Sequence, residues 1–194
     1  MNNPKILAFG GSLRADSFNQ KAAALAATGA REAGADVTLI ALRDFPLPIF
    51  DQDLEAASGM PENARQLKEM FLAHDGLIIA SPEHNSILSA ALKNAIDWIS
   101  RATTADEAPL AALAGKTAAI LAASPGGYGG SRGLAQLRPF LENIGITVIE
   151  PQVTIPKAHE IIGQDGSFAD ETIASSVRSL GAALAAAVPP RATA

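Results

Sequence analysis

Between residues 10 and 20 the chain runs GGSLRADSFNQ, setting hydroxyls at Ser12 and Ser17, a guanidinium at Arg14 and an amide at Asn19 around the start of an amphipathic run. Side chains of these types donate hydrogen bonds to an anion. A helix that begins here adds free backbone N–H groups and the positive end of its dipole to the same spot. A plainer account covers part of the stretch: Gly10 and Gly11 make a tight turn, and Ser17 with Gln20 forms an S-x-x-Q capping box. It leaves Ser12, Arg14 and Asn19 unexplained, so the spacing favours a phosphate site. Neither G-K-[ST] nor G-x-G-x-x-G is present, the signatures of triphosphate and dinucleotide loops. Hydroxyls with one arginine suit a mononucleotide phosphate better.

Two later loops carry complementary chemistry. Ser81-Pro82-Glu83-His84-Asn85 follows an apolar run, and Pro82 forces Ser81 into an extended exit. The next backbone amides can then meet the edge of a planar ring. The simple alternative is an ordinary β-to-α loop, with Ser89 capping the following helix and His84 on the surface. Ser124 to Gly130 is glycine-rich, which permits close approach to a flat ligand or makes a flexible lid. Two further patterns are set aside. Gly129 to Gly133 matches G-x-S-x-G, but an elbow serine belongs on the turn directly after its strand, and several residues intervene here. Asp51, Asp53, Glu55 and Glu62 have the spacing of a calcium loop, yet Ala56 stands where the turn glycine is needed, so the segment reads as a solvated loop.

These loops need a scaffold that gathers them at one edge. Short apolar runs alternate with helical patterns, the sign of βαβ units on a parallel sheet. The pattern predicts strands over 5–10, 36–42, 76–80, 116–123 and 147–149, and helices over 17–34, 61–74, 90–101, 130–144 and about 167–188. The expected fold is α/β, one doubly wound layer with helices on both faces, as a single domain over 1–188 and a frayed tail at 189–194. Ligands in such sheets sit beyond the carboxyl ends of the strands, where the three loops fall. At 194 residues the chain is long enough to bury roughly 70 % of its unfolded surface. The absence of cysteine excludes thiolate chemistry and agrees with a reducing, cytoplasmic setting. A net charge of −5 argues against nucleic-acid and anionic-membrane partners, and no apolar run approaches the length of a spanning helix.

Together the three loops resemble the NADPH-dependent FMN reductase family of flavodoxin-like proteins. Gly11, Ser12, Leu13, Arg14, Ser17 and Asn19 meet its G-S-L-R-x-x-S-x-N, and Pro82, Glu83 and Asn85 meet P-E-Y-N with His84 in place of tyrosine. L-K-N-A-I-D-W stands intact at Leu92 to Trp98, and Ser124, Gly126, Gly129, Gly130, Arg132, Leu137 and Arg138 fit S-x-G-x-x-G-G-x-R with its closing L-R. The resemblance implies a flavodoxin-like five-stranded sheet of order 2-1-3-4-5. It implies that Ser12, Arg14, Ser17 and Asn19, with Phe18 beside them, bind FMN at its phosphate, while Pro82, Glu83, His84, Asn85, Ser124, Gly126 and Gly127 line its ring. It further implies NADPH or NADH as co-substrate, hydride transfer through the flavin to a small acceptor (free flavin, quinone, azo compound or metal oxyanion), and a homodimer or homotetramer. No side chain is expected to act as nucleophile or obligatory base, although His84 is a candidate proton donor to a reduced quinone. An electron carrier reduced by a partner protein is the alternative. Ile87 and Ser89 replace the serine and proline found in many members. Leu92, Ile96, Trp98 and Ile99 lie at helical spacing and fit either an interface or a buried helix.

Overall fold

The computed structural model describes residues 3–189. In chain order the elements are β1 (Lys5–Gly10), α1 (Phe18–Glu32), β2 (Asp36–Ala41), a short 3-10 turn (Leu42–Asp44), α2 (Gln52–Ser58), α3 (Glu62–Ala73), β3 (Gly76–Ala80), a hairpin of β4 (Glu83–His84) and β5 (Ile87–Leu88), α4 (Ala90–Ile99), β6 (Thr117–Ala123), α5 (Ser131–Asn143), β7 (Thr147–Ile155), α6 (Ala158–Ile161) and α7 (Glu171–Ala187). The main sheet is parallel in the order β2-β1-β3-β6-β7. Counting main-sheet strands alone, this is the expected 2-1-3-4-5.

Side chains along each strand alternate between two cores. Ile6 and Ala8 of β1 pack with α1 and α7, whereas Leu7 and Phe9 pack with α3, α4 and α5. The α1–α7 layer is built from alanines and lets the two backbones come close. A Cβ on Gly181 would lie 1.8 Å from Ala26 O, and one on Gly29 would lie 2.0 Å from Arg178 O. Among the described residues no helix is long and apolar enough to cross a membrane.

Several sequence expectations need correction. The last strand runs to Ile155, well past 149, because a bulge opposite Ala118 and Ile120 absorbs the polar Glu150 and Pro151. An edge strand tolerates such a proline. Arg138 satisfies the bulge, its Nη1 donating to Val148 O at 3.1 Å and its Nη2 to Ile149 O at 2.9 Å. The acidic stretch is a helix, α2, whose N-cap Asp51 accepts from Asp53 N and Leu54 N, and no side-chain group placed to hold a metal ion occurs among the described residues. The loop after β3 is a hairpin whose turn residues Asn85 (φ 51°) and Ser86 (φ 69°) both take the positive φ of a type I′ connection. The last helix starts at Glu171, where Asp170 caps it, and not near Ser167. Leu92, Ile96, Trp98 and Ile99 are all buried within the chain itself, which settles the choice on α4 as a buried helix. Of the expected tail, residues 190–194 lie outside the described residues.

Candidate cofactor site

The loop from Gly10 to Asn19 leaves β1 at the sheet's carboxyl edge and enters α1. Ser17 is the N-cap: its Oγ accepts from Gln20 N at 3.3 Å. The other half of the expected box is absent, because the Gln20 side chain accepts from Gly10 N at 2.8 Å and donates to Ile40 O at 2.8 Å. Gln20 therefore pins the end of β1 to β2. Ser12 Oγ accepts from Arg14 N at 3.2 Å, and Arg14 is exposed, its guanidinium 5.8 Å from the Phe18 ring centroid. Asn19 is buried and clamps β6, donating to Ala123 O at 2.8 Å and accepting from Ala123 N at 2.9 Å. Asp16 would oppose an anion at this loop, but Lys21 pairs with it. That hydrogen bond holds the Asp16 carboxyl below the usual carboxylate range. Nothing in the Lys21 spacing announced this, since a lone lysine in the first turns of a helix reads as a solvated charge.

The two other loops are tied to the first and to each other. Ser89 Oγ donates to Gly11 O and accepts from Leu92 N at 3.1 Å, so the residue that replaces the family's proline both caps α4 and holds the loop from Gly10 to Asn19. Glu83 turns toward α5, accepting from Arg132 Nε at 3.0 Å and Nη2 at 2.6 Å through one oxygen and from Gly133 N at 2.9 Å through the other. Burial alone would push its carboxyl up. The Gly133 amide and the Arg132 guanidinium outweigh burial and hold the group below its ordinary value. Glu83 thereby joins hairpin to helix, and its oxygens are engaged within the protein. His84 and Asn85 are exposed at the hairpin tip, and Pro82 is half-buried against Gly11.

The glycines after β6 divide into two kinds. A Cβ on Gly129 would fall 2.7 Å from Pro156 N, and one on Gly130 would fall 2.5 Å from Ala122 Cβ, so these two serve close packing. A Cβ on Gly127 would meet nothing within 4 Å, and one on Gly126 only Ser124 Oγ at 3.5 Å. Ser124 Oγ accepts from Gly126 N at 3.2 Å and keeps this open floor in shape. Ser131, the candidate elbow serine, opens α5 and lies well beyond the end of β6. A cavity of about 150 Å³ bounded by Leu13, Leu42, Phe45, Leu47, Ala91 and Ala95 lies on the β2 side, away from the glycine floor. L-K-N-A-I-D-W positions that side: Asn94 Nδ2 and Trp98 Nε1 donate to Pro48 O at 2.9 and 2.8 Å.

The Ser89 link is open to measurement. Ser89→Ala removes a helix cap and leaves the buried Gly11 carbonyl without its donor. Together these are expected to destabilise the protein by about 1–3 kcal/mol, read as a lower melting temperature of the FMN-free chain. An unchanged melt would show that Ser89 holds neither element.

A βαβ sheet whose carboxyl-edge loops present hydroxyls, an arginine, a helix N-terminus and an open glycine floor is a mononucleotide-binding α/β fold. Residues 4–160 match the model of the family described as NADPH-dependent FMN reductase. The chain belongs to that family, and is an oxidoreductase that uses FMN with NAD(P)H as co-substrate. It is 34% identical over 168 residues to an NAD(P)H-dependent FMN reductase of Pseudomonas aeruginosa, covering 86% of this chain and 85% of that one. It is 33% identical over 169 residues to a 2-hydroxy-1,4-benzoquinone reductase of a Burkholderia species, covering 86% of each. Among solved structures, the flavoenzyme NAD(P)H:(acceptor) oxidoreductase FerB of Paracoccus denitrificans superposes with a TM-score of 0.78 at 28% identity, covering 94% of this chain and 96% of that one. Family membership favours the reductase over the electron carrier.

Proposed function

We propose that the chain is an NAD(P)H-dependent reductase of quinones or free flavin, with FMN held across the three loops. What supports this most is the linkage of those loops: Asn19 joins the first to β6, Ser89 joins it to α4, and Glu83 joins the hairpin to α5. The donor set fits the group. Ser12, Arg14 and Ser17 with the N-terminal amides of α1 would hold the phosphate, Asn19 would fix their loop to β6, Phe18 would pack beside the phosphate, and Pro82 to Asn85 with Ser124, Gly126 and Gly127 would border the ring. FMN supplies acceptance of a hydride from NAD(P)H and its transfer, with a proton, to the acceptor. The protein's share is binding and orientation. Arg14 brings charge to the phosphate, Lys21 removes the opposing charge of Asp16, and the glycine floor admits a planar ring without a side chain in the way.

Anaerobic mixing of the FMN-loaded protein with NADPH is expected to bleach the bound flavin, and adding a quinone to restore its colour. A flavin that stays oxidised would overturn the reductase reading. Arg14→Ala is expected to weaken FMN about 10- to 100-fold by fluorescence titration, the loss of one charge-assisted phosphate contact. The melting temperature of the FMN-free variant should match wild type, because Arg14 is exposed. Normal FMN affinity would return the loop to a structural turn.

Self-association as a homodimer or homotetramer belongs to the same proposal. The apolar residues of α4 at helical spacing are buried in the chain's own core, whereas Ile49 is 85% exposed. Light scattering should give twice or four times the 19.9 kDa chain mass, and a monomer would refute this part.

A further inference from the structure

One large aromatic side chain at the edge of the glycine floor is left unused by the cores. Tyr128 is the single tyrosine of the chain and is 69% exposed between Gly127 and Gly129. A ring left in water forgoes the burial energy that Trp98 and Phe71 gain in the interior. The backbone that carries it is well tied down. Tyr128 O accepts from Ser131 N at 3.0 Å, and Gly126 O accepts from Gly129 N at 3.3 Å and from Lys157 N at 3.2 Å, fastening the loop to α5 and to the end of β7. The Arg132 guanidinium lies 4.9 Å from the Tyr128 ring centroid, within cation–π range. Its Nε and Nη2 are fixed by Glu83, which leaves Nη1 free of that carboxylate. A planar stack anchored to the hairpin therefore stands beside Gly126 and Gly127, where added Cβ atoms would find open space.

Charge selects what can lie against this stack. The carboxylate that Arg132 holds, Glu83, is met by both Arg132 and the Gly133 amide, and the N-terminus of α5 adds a partial positive charge. A second cation laid on a tyrosine that already faces a guanidinium meets repulsion, whereas a negative oxygen beside the ring meets Arg132. We infer that Tyr128 and Arg132 determine acceptor specificity: the pair forms a wall that stacks planar aromatic acceptors bearing an ionised oxygen, such as ionised hydroxyquinones. Tyr128 supplies contact area and Arg132 the counter-charge. The inference rests on the FMN-reductase reading of the glycine loops.

The test compares steady-state reduction of 2-hydroxy-1,4-naphthoquinone, anionic at neutral pH, with that of neutral 1,4-naphthoquinone at saturating NADPH. The FMN-loaded wild type, Tyr128→Leu, Tyr128→Phe and Arg132→Gln are measured, with flavin content and the rate of bleaching by NADPH recorded for each. Tyr128→Leu is expected to raise KM for both quinones about five- to tenfold, with kcat and bleaching unchanged, and Tyr128→Phe to restore wild-type KM. Arg132→Gln also loosens Glu83 and is expected to raise KM for the anionic quinone about tenfold more than for the neutral one. Exposure of Tyr128 keeps its variants informative should Arg132→Gln fail to fold. Normal bleaching in the wild type with KM values indifferent to Tyr128→Leu would overturn the wall alone, as would an anionic-to-neutral KM ratio unmoved in a folded Arg132→Gln. A wild type that NADPH does not bleach would overturn the reductase reading and the wall with it.

Discussion

Lys68→Met is expected to destabilise the chain by about 3–5 kcal/mol, among the largest losses a single substitution can cause here. Lys68 is buried on α3. Its Nζ donates to Arg101 O and pairs with Glu107, whose other oxygen accepts from Thr103 N at 2.8 Å and Thr103 Oγ1 at 2.7 Å. These bonds fasten the segment after α4 onto α3, and that segment leads into β6 and the glycine floor. Burial alone would raise the Glu107 carboxyl. The Lys68 ammonium and the Thr103 amide and hydroxyl win and lower it to about 2. The drop from the ordinary 4.5 corresponds to about 3 kcal/mol of stability. Because the folded value is depressed, this contribution is present in full above the unfolded value and is lost as pH falls from about 4.5 toward about 2. Methionine leaves a half-buried carboxylate without its cation, so the penalty should be large at pH 7 and shrink near pH 2–3, where the carboxyl protonates. Urea melts at both pH values check this. The double variant Lys68→Met/Glu107→Leu should regain most of the loss, since an apolar pair removes the stranded charge. A single variant as stable as wild type at pH 7 would show that the pair holds nothing.

Local chemistry was legible in the sequence, and long-range pairing was not. The caps at Ser17 and Ser89 follow from residue type and position before a periodic run, and both are present. The strand order follows from the resemblance. The Gln20 side chain could not be placed this way, because its competing partners, Gly10 N and Ile40 O, come from two strands. The end of β7 was lost for a similar reason. Glu150 and Pro151 break the apolar pattern, and the donors that satisfy the bulge come from Arg138 on α5, a different element. Arg138 and Glu83 both stand in the family pattern, and Glu83 is a candidate for the ring site, yet Arg138 donates to backbone carbonyls and Gln152, and Glu83 accepts from Arg132 and the Gly133 amide. A motif marks where a residue is needed and leaves open whether a ligand or a neighbouring strand needs it.

Asn19 makes that distinction measurable, and its replacement by leucine is the second large effect. The side chain looks from sequence like a phosphate donor at a helix start. In the structure both its polar atoms are spent on Ala123, 104 residues away, at the point where β6 ends and the glycine floor begins. Leucine keeps the branched heavy-atom skeleton with bulkier methyl groups and no polar atom, so it strands a buried amide and a buried carbonyl at once. Each such group costs about 1–3 kcal/mol, giving an expected loss of about 2–6 kcal/mol in the FMN-free chain and a melt lower by roughly 4–24 °C. Arg14→Ala should show the opposite signature, weak FMN binding with an unchanged FMN-free melt. The Asn19 loss should also reach the cofactor, because the clamp sets the spacing between the anion loop and Ser124. FMN affinity in Asn19→Leu is therefore expected to fall even where the variant remains folded. If the FMN-free melt is untouched and only FMN affinity falls, Asn19 acts on the ligand alone. If both fall together, one amide both builds the edge of the sheet and holds the two ends of the cofactor site in register.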